Sequence, residues 1–231
     1  MNWVIVAAGG DGNRMKAGTN KAFLPILDKP VAFYTLETLE KMELIDKIII
    51  VIRSIDKKEW QKLISKFAFK KVVKLIPARK TRQDSTWKAL QWLKGKAASS
   101  DLIAVHNAVN PLVKPEEVEA VFIAARQFGA SLLAMPARDT VKVASKDKIV
   151  KTTPLRQFVW YAQTPQVGRF DLLFQAFKKA QKKDFMGTDD SQLLERIGIK
   201  VKIVPCSAEN FKITYSHDLF LAEEILRRRH V

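Results

Sequence analysis

Val4-Ile5-Val6-Ala7-Ala8 leads straight into Gly9-Gly10-Asp11-Gly12-Asn13-Arg14-Met15, and Lys21 follows seven residues after Arg14. These residue types in this order suit phosphate chemistry. Glycines let the backbone approach an anion and adopt positive φ, and successive N–H groups in such a turn form an anion-binding nest. Arg14 and Lys21 can then neutralise the charge that builds up when a phosphoryl group is transferred. The turn matches neither GxxxxGK[ST], because no Gly-Lys-Ser/Thr follows, nor GxGxxG, because Met15 stands where the third glycine would be. Taken alone it also fits a plain connection from strand to helix. The arginine and lysine behind it point towards a nucleotide site.

A turn of this kind needs a sheet to hold it. Strand-like apolar runs occur at Trp3–Ala8, Lys47–Ile52, Lys71–Ile76, Leu102–His106 and Ser131–Met135. Helical periods separate them at Pro30–Met42, Asp56–Phe69, Gln83–Lys94 and Pro115–Gln127. Such alternation predicts a parallel sheet. The rhythm then breaks. Thr140–Val143 and Ile149–Thr153 flank Ser145-Lys146-Asp147-Lys148, which has hairpin chemistry. A hairpin of this kind is either an arm that reaches a partner subunit or a flap over the chain's own site. The order resumes with a strand at Val159–Ala162, a helix at Arg169–Lys182, strands at Lys200–Val204 and Asn210–Ile213, and a helix at His217–Arg229. A half-buried strand at Asn210–Ile213 would point Lys212 opposite to Phe211 and Ile213.

The 231 residues suit one α/β domain spanning 1–231, with an excursion around 137–158. The lone cysteine, Cys206, excludes an internal disulfide framework, fits a reducing compartment and reads as a small core hydrophobe. The start of the chain lacks the basic, then apolar, pattern of a secretory signal, and no apolar run is long enough to span a bilayer. These features place the protein in the cytoplasm, away from membranes. The net charge of +16, from 40 Lys+Arg against 24 Asp+Glu, is scattered rather than interleaved with aromatics. It reads as a lysine-rich surface whose field draws in polyanionic substrates, and not as a nucleic-acid-binding face.

Seven segments in order make the chain resemble one family, the 2-C-methyl-D-erythritol 4-phosphate cytidylyltransferases. They are the glycine turn with Asn20-Lys21-Ala22-Phe23-Leu24-Pro25; Arg82-Gln83-Asp84-Ser85; Val105-His106-Asn107-Ala108 with Pro111; Pro136-Ala137-Arg138-Asp139-Thr140-Val141-Lys142; Thr164-Pro165-Gln166; Thr188-Asp189-Asp190; and Asn210-Phe211-Lys212-Ile213-Thr214 with Asp218-Leu219. The resemblance implies a three-layer, Rossmann-like α/β fold of the nucleotidyltransferase/glycosyltransferase-A type, with a mostly parallel sheet and a β-hairpin arm. CTP would lie over Ala7, Ala8, Gly9, Gly10 and Gly12, with Arg14 and Lys21 as the catalytic cations at its α-phosphate. Arg82, Ser85 and Asn107 would complete the nucleotide site, and Mg²⁺ would bridge the phosphates. By residue type alone, Asp84 or Ser85 equally suits a helix cap and Arg82 a surface charge. Thr140, Arg156, Thr164 and Lys212 would hold the sugar-alcohol phosphate. The arm would cross to a second copy, so Thr140 and Arg156 would serve the partner's site in a homodimer.

The chain departs from the family pattern where His-Asp-Ala-Ala/Val-Arg-Pro is usual, reading His106-Asn107-Ala108-Val109-Asn110-Pro111. Asn107 is a weaker partner for Mg²⁺ than aspartate. Asn110 lacks the bidentate phosphate donor that arginine supplies on the substrate side. Arg79, Lys80 or Arg82 can make up some of that charge. A cytidylyltransferase for another alditol phosphate, such as ribitol 5-phosphate, and a weakened nucleotide-binding relative are the other readings these departures allow.

Overall fold

A computed structural model of the chain describes residues 1–10 and 20–229. In order, the elements are β1 (Asn2–Ala8), a small hairpin of β2 (Pro25–Ile26) and β3 (Lys29–Pro30), α1 (Val31–Lys41), β4 (Lys47–Ile52), α2 (Lys57–Lys66), β5 (Val72–Pro77), α3 (Arg82–Leu93), β6 (Leu102–Asn107), α4 (Pro115–Phe128) and β7 (Ala130–Pro136). Then come β8 (Val143–Ala144), β9 (Val150–Thr152), β10 (Trp160–Arg169), α5 (Phe170–Lys182), α6 (Asp190–Glu195), β11 (Lys202–Pro205) and α7 (Ser216–Arg229).

Seven strands form one sheet in the order β11–β7–β10–β6–β1–β4–β5. β1 pairs in parallel with β4 and β6, β4 with β5, and β7 with β11. β10 runs antiparallel between β6 and β7. The expected mostly parallel α/β sheet is therefore present. Its central strands are apolar on both sides because both faces are covered. Val4, Val6 and Ala8 of β1 join the core on one face with Leu36, Trp60 and Phe122. Trp3 and Ile5 join the other with Leu90, Leu173 and Phe177.

The chain builds outward from β1 through β4 to β5, then crosses back to place β6 on the other side of β1. In open α/β sheets, such a reversal opens a crevice at the carboxyl ends of the two strands. Ala7 and Asn107, paired across β1 and β6, stand at its floor.

Two expectations need correction. Asn210–Ile213 is not a strand. The Ile213 N–H donates to the Val109 carbonyl and the Ile213 carbonyl accepts from Lys21 Nζ, so this segment is held by single contacts. The alternation nevertheless survives, with Ile213 buried and Lys212 exposed. The strand expected at Val159–Ala162 instead runs for ten residues and takes Thr164-Pro165-Gln166 into the sheet. The Thr164–Pro165 bond is cis, and the register with β7 shifts between Ala162 and Gln166. Proline and three polar residues conceal that continuation from any apolar pattern.

The hairpin is confirmed as β8 and β9, paired antiparallel. Two short strands give little stability by themselves, and Ile149, Leu155 and Phe158 near them are about two-thirds or more open to solvent. Among the described residues, no helix is long and apolar enough to cross a membrane.

His106 on β6 is fully buried, and neither ring nitrogen has a hydrogen-bond partner among the described residues. Burial pulls its imidazole down to about 4, against weaker support from the main chain of Asn110 and Thr164. The unfolded chain therefore takes up a proton near pH 6.5 that the folded one refuses. Stability is full above that pH and falls as the pH drops towards 4. Between pH 7 and pH 5 the loss should be about 2 kcal/mol. Urea melts at the two pH values should show it, and His106→Leu should abolish it.

Candidate active site

The crevice at the ends of β1, β4 and β6 has a volume of about 220 Å³. Its walls are Ala7, Gly9 and Gly10 from the first turn, Val51 from β4, residues Arg79 to Arg82 before α3, Ser85 and Thr86 in its first turn, Asn107 from β6, and Lys212. Four of these side chains are cationic and none is a carboxylate, so the crevice suits a polyanion. Gly12 and Arg14 lie outside the described residues. Ala8 faces the core rather than the crevice, as strand alternation requires of the neighbour of Ala7.

The first turn and the loop before α3 meet closely. A Cβ added to Gly9 would lie 2.5 Å from the Cβ of Ala78. Gly9 is therefore required for close approach of the two segments. Thr81 caps α3, its hydroxyl accepting from the Asp84 N–H at 3.0 Å and donating to the Asp84 carboxylate at 2.7 Å. This corrects the assignment of the cap to Asp84 or Ser85, and the Thr81-x-x-Asp84 spacing is a recognisable signal for it. Ser85 instead holds the loop. Its Oγ accepts from the Arg79 N–H at 2.9 Å and donates to the Thr81 carbonyl at 2.7 Å.

Arg82 is no loose surface charge. It donates to Asp190 at 2.5 Å, and that carboxylate, opposed by burial, holds the guanidinium above its ordinary value. Asp189 accepts from Gln166 Nε2 at 3.0 Å and caps α6 through the Gln192 N–H at 2.9 Å. The Thr188-Asp189-Asp190 and Thr164-Pro165-Gln166 motifs thus tie α6 and β10 to the crevice wall. Arg79, Lys80 and Lys212 are the exposed cations among the described residues of the crevice lining.

Lys21 is buried, with Nζ 3.2 Å from the Ile213 carbonyl, one residue along the chain from Lys212. The segment carrying it is fixed by Asn20, which accepts from the Ala22 N–H at 3.0 Å and donates to Asp56 at 2.6 Å. Burial works against the Asp56 carboxylate, yet hydrogen bonds from Arg53 and Asn20 hold it below the usual carboxylate range.

Asn107 Nδ2 donates to Asn110 Oδ1 at 3.0 Å and to Thr164 Oγ1 at 3.2 Å. Asn110 is fully buried and turns away from the crevice towards Asn210. It stands behind the crevice lining. Thr140 and Arg156 do not reach this crevice within the single chain. Thr140 is exposed on the arm, and Arg156 donates to the Arg138 carbonyl at 3.0 Å beside a separate shallow cleft.

The family model for 2-C-methyl-D-erythritol 4-phosphate cytidylyltransferase (IspD) matches residues 2–228. The chain belongs to this family. It is 38% identical over 226 residues to the cytidylyltransferase of that name from Bacillus cytotoxicus, covering 98% of each chain. It is 35% identical to the one from Pelotomaculum thermopropionicum, covering 97% of this chain and 94% of the other. Among solved structures, 4-diphosphocytidyl-2C-methyl-D-erythritol synthase from Anaerococcus prevotii superposes with a TM-score of 0.86 at 30% identity, over 99% of both chains.

A resident metal fits the described residues poorly. No three or more His, Cys, Asp or Glu side chains converge among them, and the crevice offers the neutral Asn107 oxygen where Mg²⁺ usually finds one or two carboxylates.

Two outcomes test this construction. Gly9→Ala should destabilise the fold by about 1–3 kcal/mol through overpacking, and Ala78→Gly in the same chain should restore it, both read from thermal melts. Arg82→Ala should cost about 2 kcal/mol, because it strands Asp190 as a buried, unpaired charge. Asp190→Asn, which keeps an acceptor, should cost less in the same melts.

Proposed function

We propose that the crevice binds CTP and that the enzyme transfers its cytidylyl group to 2-C-methyl-D-erythritol 4-phosphate, releasing pyrophosphate. The observation that carries this is a crevice at the β1/β6 switch point whose described lining has four cations and no carboxylate, in a chain matching the family over nearly its whole length. The acceptor's phosphate oxygen attacks the α-phosphorus in line, and pyrophosphate departs from the opposite side. Such transfers ask the protein chiefly for positioning and charge stabilisation. Gly9 and Gly10 offer backbone to the phosphates, Lys21 with Arg14 steadies the charge at the α-phosphate, and Lys212 with Thr164 holds the acceptor. Any Mg²⁺ would be held by the nucleotide's phosphates, with the neutral Asn107 as a weak protein partner, and would supply further charge neutralisation. The reading places the enzyme in the cytoplasm, where the thiol of Cys206 stays reduced.

We also infer a homodimer in which the arm lends Thr140 and Arg156 to the partner's site. The exposed apolar side chains of Leu155 and Phe158, and the small size of the β8–β9 hairpin, support it. A two-fold pair would give each arm the same surface to cover.

Pyrophosphate release from CTP should be seen with methylerythritol phosphate and not with ribitol 5-phosphate; the reverse preference would overturn the acceptor. Lys21→Met should lower kcat by about 10²–10³. Mixing inactive Lys21→Met with inactive Arg156→Ala chains should restore about a quarter of the activity, because one site in each mixed dimer is intact. No recovery after refolding together would place the arm in its own site.

A further inference from the structure

The two asparagines that replace the family's usual aspartate and arginine lie in one directed chain of hydrogen bonds. Its direction can be read from a fixed end. Asn210 Nδ2 donates to the Thr164 main-chain carbonyl at 2.9 Å. A carbonyl can only accept, so the Asn210 amide has one orientation. Its Oδ1 then accepts from Asn110 Nδ2 at 3.4 Å, and the same Nδ2 lies 3.3 Å from the Asn210 main-chain carbonyl. Asn110 must therefore present Oδ1 to Asn107, whose Nδ2 donates to it at 3.0 Å. The other hydrogen of that Nδ2 is taken by Thr164 Oγ1 at 3.2 Å. Both Asn107 protons are spent in the wall. Its Oδ1 is left for the crevice that the residue lines, and no donor reaches that atom among the described residues.

We propose that Asn110 and Asn210 are positioning residues that lock the Asn107 amide, so that its Oδ1 presents a neutral acceptor to a hydroxyl of the bound substrate. The inference rests on the cytidylyltransferase reading for its ligand, but the lock itself belongs to the free protein. Asn110 and Asn210 are buried at 0% and 1% exposure, so every unmade bond in the chain would leave a polar group without water. That makes the orientation stiff. It also makes the pair interdependent. An aspartate at 107 would set a carboxylate against Asn110 Oδ1, two acceptors 3.0 Å apart with no proton between them. Asn110 could not turn to help without opposing the Asn210 carbonyl. In this chain, the residue that the family pattern favours at 107 is the wrong one while Asn110 is present.

The first test is on the free protein. The side-chain amide protons of Asn107, assigned by substitution and followed by NMR hydrogen exchange, should be protected in the wild type and released in Asn110→Leu. Wild-type protons exchanging as freely as those of an exposed asparagine would overturn the lock, whatever the enzyme's activity. The second test is kinetic, with melts run on each variant. Asn110→Leu should raise the KM of the hydroxyl-bearing substrate about tenfold with a much smaller change in kcat. A rise confined to CTP and absent with 2′-deoxy-CTP identifies the ribose as the source of the hydroxyl; a rise confined to the acceptor identifies the alditol. Asn107→Asp, at a half-exposed position, should weaken the same KM, and adding Asn110→Leu to it should recover part of the loss. If Asn110→Leu fails to fold, Asn107→Asp carries the test: a KM equal to or better than wild type would overturn the proposal. A wild type that turns over neither acceptor, yet keeps Asn107 protected, would sink the functional reading and leave the lock standing.

Discussion

The parallel pairing of β1 with both β4 and β6 is the constraint on which the rest depends. It buries a strand of small and β-branched residues on both faces, and it forces the chain to reverse direction around that strand. The crevice follows from the reversal, because the loops after β1 and β6 must part to opposite sides. Everything chemical is then delivered to one edge of the sheet. The glycine turn, Asn107, the start of α3 and the 210–214 segment come from four distant stretches of sequence, yet they meet within one small cavity.

What fixes those stretches is a layer of polar contacts behind the cavity. Asp56 gathers Asn20 and Arg53 and so holds the base of the Lys21 segment. Ser85 and Thr81 set the loop that carries Arg79 and Lys80. Asp190 anchors Arg82, while Gln166 spans β10 and α6 through Asp189 and the Ser191 N–H. Buried groups of this kind are costly when unmatched and rigid when satisfied. The crevice is thereby kept open and basic, with no carboxylate among the described residues that line it. Asn107 and Asn110 belong to the same layer, linked to each other and to Thr164 and Asn210. Two neutral amides keep the hydrogen bonds and need no buried charges to be balanced.

The exposed arm shows the opposite economy. Its strands are two and three residues long, and its large apolar side chains face solvent. Nothing among the described residues covers them, whereas large aromatics of the central helices pack against one another or against the core. Trp60 meets Phe23, and Trp87 meets Phe174 and Phe177.

The sequence by itself determined the sheet-forming runs, the helices between them, the arm and the positions where chemistry concentrates, because period-2 and period-3.6 apolar patterns and glycine punctuation are local properties. Residues 7, 9, 10, 82, 85, 107 and 212 were each legible and do line the crevice. Only the tertiary structure decided what the polar residues do there. Arg82 and Ser85 turn inward to partners in the wall, Asn110 turns away from the site, and the cis-proline segment continues a strand instead of ending one. A side chain's partners are set by residues a hundred or more positions away, as with Asn110 and Asn210 or Lys21 and Ile213. No spacing within the chain encodes which of two amide atoms will face the substrate.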